Sequence, residues 1–454
     1  MRSSNVNMLS GSITKGLLSL TIPIMVMNVL QSIFNIIDMT TLKLFSNEKA
    51  VGAVGACGIL ITLCTGLLIG IATGANVVVA RRVGAKDTVR AEKAVTTAIS
   101  FSIIGGFVLM LIGVIFAENF LVMTNCPDTL LPQAVKYFKI YFLGVPIFMF
   151  YNFCASILRA IGDTKSPMCY LIFGGVLKVI LTIFFVVCFS MDVGGVAVAT
   201  IVSNAIASGL AFLKLLKYQN VVRINLHNIK IDLTELKDML RIGIPTGLQS
   251  SLYSLANVVI TTTVNGFGEA ATTGISIANQ FDGILYQISF APSLAVTPYV
   301  AQNMGAGNII RIKKAFSRAL LITTVFGATF GMLSAIFSKE LSSIMSSNPE
   351  VIEFSQQKMF IISTTYFICG INDVIGGMLR GMGKPIMPTV STMVYMCLLR
   401  FVWVYAIFPL FPNLTFLYTV WPIGWTLSII TLLIPYFITI KSLTKIANHI
   451  RDTR

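Results

Sequence analysis

Charge is scarce in this sequence. Asp, Glu, Lys and Arg make up 11% of its 454 residues, against roughly 25% in an ordinary soluble domain, and that deficit excludes a water-soluble fold. Histidine is almost missing: His227 and His449 are the only two, so a His/Cys metal centre has no ligand set and no metal site is expected. The eight cysteines, at 57, 64, 126, 154, 169, 188, 369 and 397, contain no CxxC pair, and all but Cys126 lie in or beside apolar runs. They read as small core residues and not as a disulfide framework. Neither GxSxG nor HExxH occurs, and no carboxylate cluster adjoins a phosphate-cradling loop, so a membrane-embedded hydrolase or transferase has no visible machinery and no enzyme is expected. No small-residue cleavage pattern follows MRSSNVNMLSGSITKG, and a removed signal peptide is not expected.

Apolar residues take the place of charge: 55% of the chain is hydrophobic and the mean hydropathy is +0.83. A helix needs about 20 apolar residues to cross a ~30 Å hydrocarbon core. Twelve segments qualify, near 17–42, 51–80, 95–117, 137–158, 167–190, 193–216, 240–266, 270–302, 316–338, 355–379, 386–410 and 415–440. They are too long and too continuously apolar for barrel strands, which would alternate. The expectation is an all-α integral membrane protein with twelve transmembrane helices. The net charge of +15 does not point to nucleic acid, because its distribution follows the spans. Twenty-five Lys and Arg fall on one side, and Lys43, Lys49, Lys136, Lys139, Lys339 and Lys358 on the other. The positive-inside rule then places both termini in the cytoplasm of a multi-pass cell-membrane protein.

The chain is also written twice. VGAKDTVRAEKAV at 83–95 matches MGAGNIIRIKKAF at 304–316, and SILRAIGDTKSP at 156–167 matches GMLRGMGKPIMP at 377–388, both at an offset of 221. Glu48 and Glu269 share that offset, and the Ile-Pro of 22–23 recurs at 244–245. Two pseudo-symmetric six-helix bundles are therefore expected, with residues 1–216 as one lobe, 217–239 as a cytoplasmic linker and 240–454 as the other. An even number of spans per copy gives a parallel repeat, an arrangement suited to alternating access. Pro23 and Pro245 are candidates for paired bends in spans 1 and 7. Gly66, Gly70 and Gly74 form a double GxxxG, read as a close-packing face.

Sorting the charges leaves Asp38, Lys178, Asp282, Asp373 and Arg400 inside spans. A charge at the centre of a bilayer costs roughly 2.5–3.5 kcal/mol even on the mild insertion scale, so each is a candidate functional residue whose partner should be named. Asn28, Gln31 and Asn35 extend a polar stripe inward from Asp38 at helical spacing. Lys178, near mid-depth in span 5, can reach Asp38. Asp282 and Arg400, both near mid-depth, are expected to pair, either as a structural ion pair or as part of the working site; Arg400 stays charged and cannot itself cycle a proton. Asp373 lies only about 10 Å from the cytoplasmic end of span 10 and can also be read as interfacial.

With the repeat and these positions in hand, the chain resembles the multidrug and toxic compound extrusion (MATE) family over roughly residues 12–440. The resemblance rests on QSIFNIID in span 1, GANVVVARRVGAKD, SILRAIGDTKSP with MLRGMGKP, GGVAVAT at 194–200 and ANQFDGILYQISFAPSLAVTPYVAQNMGAG at 278–307. It implies a V-shaped transporter of two six-helix lobes that exchanges Na⁺ or H⁺ for amphipathic, often cationic, drugs. Asp38 looks like the family's ion-coupling carboxylate, and Asn152, Thr182 and Thr200 fall on other polar positions of that lobe's cavity. Asn35, Gln249, Asp282, Asp373 and Arg400 join them as candidates for lining the substrate path. The fifth helix departs from the family pattern: where many relatives carry Asn and, four residues on, Asp, this chain has Lys178 and Thr182. An ammonium there repels a bare Na⁺, which favours H⁺ coupling through an Asp38/Lys178 pair.

The expectation is a monomeric, cofactor-free antiporter of small amphipathic or cationic compounds, embedded in lipid. A flippase for a lipid-linked precursor would need a more basic cavity than Lys178 and Arg400 provide. A selective channel would need a filter motif recurring in both halves. A family member with degenerate ion coupling stays open because of the Lys178/Thr182 change.

Overall fold

In hydrocarbon every backbone N–H and C=O must be satisfied within the chain, and a run of some 20 or more apolar residues does this only as a helix. The computed structural model describes residues 6–45, 48–124, 126–189, 191–218 and 230–452, and every regular element among them is helical. The order is α1 (Ile13–Phe45), α2 (Glu48–Gly84), α3 (Thr88–Ile115), a short α4 (Ala117–Met123), α5 (Leu131–Leu143), α6 (Val145–Ala160), α7 (Lys165–Ile183), α8 (Asp192–Leu216), α9 (Leu233–Asn265), α10 (Glu269–Gly305), α11 (Ile309–Ile336), a short α12 (Ser338–Met345), α13 (Pro349–Gly381), α14 (Ile386–Thr392), α15 (Leu399–Val402), α16 (Leu414–Tyr418) and α17 (Val420–Asp452). Wide π-helical turns continue α7 over Phe184–Cys188 and flank α15 over Met393–Leu398 and Trp403–Ile407.

Each of the twelve expected segments falls on helix, and among the described residues ten helical stretches, with Ile386–Leu410 counted as one, are long and apolar enough to cross a membrane. The fourth segment is broken: α5 and α6 meet at a 45° bend, and counted as one they make an eleventh span. Pro146, in the first turn of α6, removes a backbone donor at that joint. The seventh segment, α9, is a helix of 33 residues that stands outside the ten. Gln249, Ser250, Ser251 and Asn257 lower its hydropathy more than the run of Thr261, Thr262 and Thr263, whose hydroxyls each donate to a carbonyl one turn back.

The motifs that repeat are turns, and their chemistry is visible. Lys86 and Gly307, 221 residues apart, both take the left-handed conformation (φ 57° and 68°). Directly after them Asp87 and Asn308 cap α3 and α11 by accepting from the N–H of Arg90 and Arg311. Gly162 and Gly383 (φ 92° and 78°) end α6 and α13 in the same way, with Asp163 N–H donating to Leu158 O at 2.9 Å and Lys384 N–H to Leu379 O at 2.8 Å.

Two compact units result, one built on Val26–Gly247 and the other on Asn7–Met25 with Leu248–Arg454. The change-over falls inside α1 and α9, two residues after Pro23 and two after Pro245, and not in the polar loop between the repeats. Of the expected linker, 219–229 lies outside the described residues and 233–239 forms the first turns of α9. Those turns belong to the first unit through close contact with α2. A Cβ on Gly70 would meet Gly247 N at 2.2 Å, and one on Gly74 would meet Met239 O at 2.1 Å. In the second unit α10 and α13 also approach closely, Gly377 leaving only 2.7 Å between an added Cβ and Ser293 O. An apolar core that includes Trp403, Tyr418, Trp421 and Trp425 gathers there.

Candidate functional site

In the first unit the C-terminal half of α1 lies against α7 because Gly175 has no side chain: a Cβ there would sit 1.8 Å from the Phe34 ring. One turn beyond Phe34 on α1 is Asp38, and one and two turns beyond Gly175 on α7 are Lys178 and Thr182, so helical spacing brings the three together. Lys178 Nζ stands 2.5 Å from Asp38 Oδ2, and Thr182 Oγ1 donates to Asp38 Oδ1 at 3.3 Å. The side chains of Lys178 and Asp38 are 12% and 9% exposed. Charges so enclosed persist only when paired and hydrogen-bonded. Directly after Thr182 the helix widens into the π turn at Phe184–Cys188, a deformation often found beside functional positions.

The other candidates of this half do not join the cluster. Asn152 donates to Phe148 O at 2.8 Å and Thr200 to Val196 O at 2.8 Å, each serving its own helix. Asn35 is exposed.

In the second unit Asp282 does not pair with Arg400. Its partner is Lys358, with Nζ 2.8 Å from Oδ2 and side-chain exposures of 4% and 11% for lysine and aspartate. Lys358 also donates to Asn279, one turn before Asp282, and Tyr366 donates to Asp282 O at 3.1 Å. Arg400 donates instead to Asn257 Oδ1 at 2.7 Å and lies over the rings of Tyr253 and Trp421, 5.2 and 5.0 Å from their centroids. Its Nη2 is buried without a partner. Trp421 is shared, since Lys358 Nζ lies 5.9 Å from the same ring centroid.

The misplacement of Lys358 has a plain cause. Residues 350–358 include Glu350, Glu353, Gln356 and Gln357, so the apolar run begins near 355 although the helix begins at Pro349, capped by Asn348. Asn-Pro ahead of a helix is the signal that locates this start, and it puts Lys358 about 14 Å in, not outside.

Arg380, one of the twenty-five cations that the charge count puts on one side, is also buried. It donates to Gln249 Oε1 at 3.0 Å and Ser293 Oγ at 3.1 Å, while Gln249 donates to Thr392 Oγ1 at 2.9 Å. Ser293 in turn donates to the backbone oxygen of Asp373 at 2.6 Å. Gln249 and Asp373 thus belong to one polar network around Arg380. Asp373 is half-buried, with its Oδ2 facing the Cys369 thiol at 4.0 Å, and not at a helix end.

The two units handle equivalent positions differently. Arg400 stands 222 residues after Lys178, and Asn257 the same distance after Asn35, while the counterpart of Asp38 is Ile260. The first unit gives its cation a carboxylate; the second gives it an amide and two aromatic faces.

Long apolar helices enclosing paired charges define a multi-pass membrane transporter. The chain belongs to the MatE family, whose model matches residues 23–184 and again 245–406, the same duplication that the turn motifs show. It is 26% identical over 400 residues to the probable multidrug resistance protein YpnP of Bacillus subtilis, covering 86% of this chain and 87% of that protein. It is 24% identical over 401 residues, with 86% and 87% covered, to a protein of Shewanella oneidensis named as an FAD transporter. Among solved structures, the outward-facing conformation of a multidrug resistance MATE family transporter superposes with a TM-score of 0.90 at 19% identity, covering 98% of this chain and 100% of that one.

Proposed function

We propose that this transporter exports amphipathic organic compounds from the cell by alternating access, coupled to H⁺ entry through Asp38. The observation that carries the reading is Lys178 Nζ at 2.5 Å from Asp38 Oδ2. The ammonium occupies the space a sodium ion would need and repels it, so the carboxylate exchanges its partner by taking a proton. Protonation of Asp38 removes its negative charge, breaks the pair and leaves Lys178 as a free cation, which gives α1 and α7 two arrangements of different energy, as a two-state carrier requires. The protein then works as a monomer in the cell membrane, with both termini in the cytoplasm and no cofactor beyond the coupling ion.

Reconstituted protein loaded with ethidium, with pH and Na⁺ gradients imposed separately, tests this. Flux driven by the pH gradient alone is expected. Asp38→Asn should lose both the flux and its pH dependence; wild-type pH-driven flux in that variant sinks the proposal, and flux driven only by Na⁺ sinks the choice of ion.

A second reading of the substrate rests on charge. Lys358, Arg380 and Arg400 outnumber Asp282 and Asp373 in the second unit, which favours an anionic aromatic compound, and one relative is named as an FAD transporter. In the same vesicles, transport of FAD in place of ethidium identifies that case.

A further inference from the structure

Two stretches of this chain carry cations and no acid. From Met1 to Ile37 there is neither Asp nor Glu, and from Gly283 to Lys339 there is none either. Parts of both meet in the second unit, where segment 7–12 and the start of α1 lie against the first turns of α11. Asn303 donates to Met8 O at 3.1 Å, and Arg311 donates through Nη1 to Gly11 O at 3.0 Å and through Nη2 to Ser10 O at 3.1 Å and the Tyr299 hydroxyl at 2.6 Å. Between the two segments opens a cavity of about 550 Å³, with Ser12, Thr14, Arg311, Lys314, Ser317 and Arg318 in its wall. Arg311 Nε is buried there without a partner. Lys314 and Arg318 are exposed, and among the described residues no carboxylate pairs with either.

The first unit contains the equivalent corner and neutralises it from within. Lys93, 221 residues before Lys314, pairs with Asp232 at 3.3 Å. Arg82 pairs with Glu235 at 3.1 Å and Asp238 at 3.3 Å. At the place of Arg318 stands Thr97, whose hydroxyl accepts from the Asp232 N–H at 2.9 Å. The three carboxylates all come from the start of α9, DLTELKD, whereas the matching start of α1, SGSITKG, has none. The corner is therefore built twice with different charge: in the first unit Lys93 has Asp232 and the place of Arg318 is neutral, whereas in the second Lys314 and Arg318 stand together without a carboxylate from the matching segment.

We propose that the cavity of the second unit binds a phosphate-bearing anion, which supplies the counter-charge that the chain omits. Two flexible cations and a fixed guanidinium suit the several acceptor oxygens of a phosphate group. The site is separate from the buried charges described above: Asp282 lies 23 residues before the end of α10 at Gly305, about 35 Å along the helix. Its loops fall on the side that the charge bias assigns to the cytoplasm, where anionic headgroups attract basic clusters. A phosphatidylglycerol headgroup and free inorganic phosphate share the chemistry, and the experiment separates them.

Full-length protein, stripped of lipid in a neutral detergent, is titrated with phosphatidylglycerol, phosphatidylethanolamine or inorganic phosphate. Binding is followed by native mass spectrometry and thermal stability by unfolding. Phosphatidylglycerol is expected to bind and to raise the unfolding midpoint, and phosphatidylethanolamine is not. A Lys314→Gln/Arg318→Gln variant should bind about 25-fold more weakly, at roughly fivefold for each charge near a phosphate. Lys93→Gln, in the neutralised corner, should bind like the wild type. Competition by millimolar phosphate identifies a free-anion site, and insensitivity to phosphate identifies a lipid headgroup site. Both substituted side chains are exposed and unpaired, so the unliganded variant should unfold within a few degrees of wild type. Equal phosphatidylglycerol affinity in the wild type and the double variant, or equal affinity for the two lipids with no effect of phosphate, overturns the proposal.

Discussion

Asp38 and Lys178 are each intolerable alone in their surroundings and tolerable together. Removing one partner of a buried pair strands the other charge, at a cost of about 3–5 kcal/mol, whereas replacing both with apolar or neutral groups is often neutral. Asp38→Asn should therefore lower the unfolding midpoint in detergent, and Asp38→Asn/Lys178→Met should recover most of it without recovering transport. Recovery of transport along with stability would show that the pair only holds α1 to α7. Arg400 calls for a different substitution. Its guanidinium is matched to two aromatic faces and one amide, and Lys cannot stack or reach in the same way. Arg400→Lys is expected to cost about 1–2 kcal/mol in the same unfolding assay, the worth of a desolvated cation–π contact.

Among the elements, α2 and the first half of α9 meet backbone against backbone. Gly70 and Gly74 on one face and Gly243 and Gly247 on the other leave no room for a side chain. Gly70→Leu must displace backbone and not merely a rotamer, so it should exceed the ~1–3 kcal/mol typical of overpacking and reduce the yield of folded protein on size-exclusion chromatography. A milder tether holds the start of α9 to α3. The Asp232 carboxyl lies below its ordinary range because the Glu235 N–H donates to it, with further help from Lys93 and the Thr234 N–H and against some desolvation. A depressed pKa contributes stability that is present above the ordinary carboxylate value of about 3.9 and is lost as pH falls through the lower folded value. Wild type and Asp232→Asn should accordingly differ in unfolding midpoint at pH 6, and the difference should shrink as pH falls below the ordinary carboxylate range.

For the whole molecule, the division into units has a consequence for fragments. Because residues 233–247 belong to the first unit, a fragment ending at 218 lacks the surface that Gly70, Gly74 and Arg82 require. One ending at 250 retains it. Expressed in membranes, the longer fragment should resist limited proteolysis under conditions that degrade the shorter one. Equal resistance would mean that this part of α9 contributes little to the unit.

Membrane residence, helicity and the duplication were legible from the order of residues, because each depends on local pattern: apolar length and the recurrence of short motifs at one offset. The Asp38/Lys178 contact was also legible, since both sit in apolar runs with few alternatives. Lys358 and Arg380 were not, because polar residues at the ends of α13 hid how far the helix extends. Choosing Lys358 over Arg400 as the partner of Asp282, like placing the unit boundaries within α1 and α9, was left to the tertiary structure. Such choices depend on which helix faces meet across scores of residues, and hydropathy along a chain records how deep a residue lies but not what it faces.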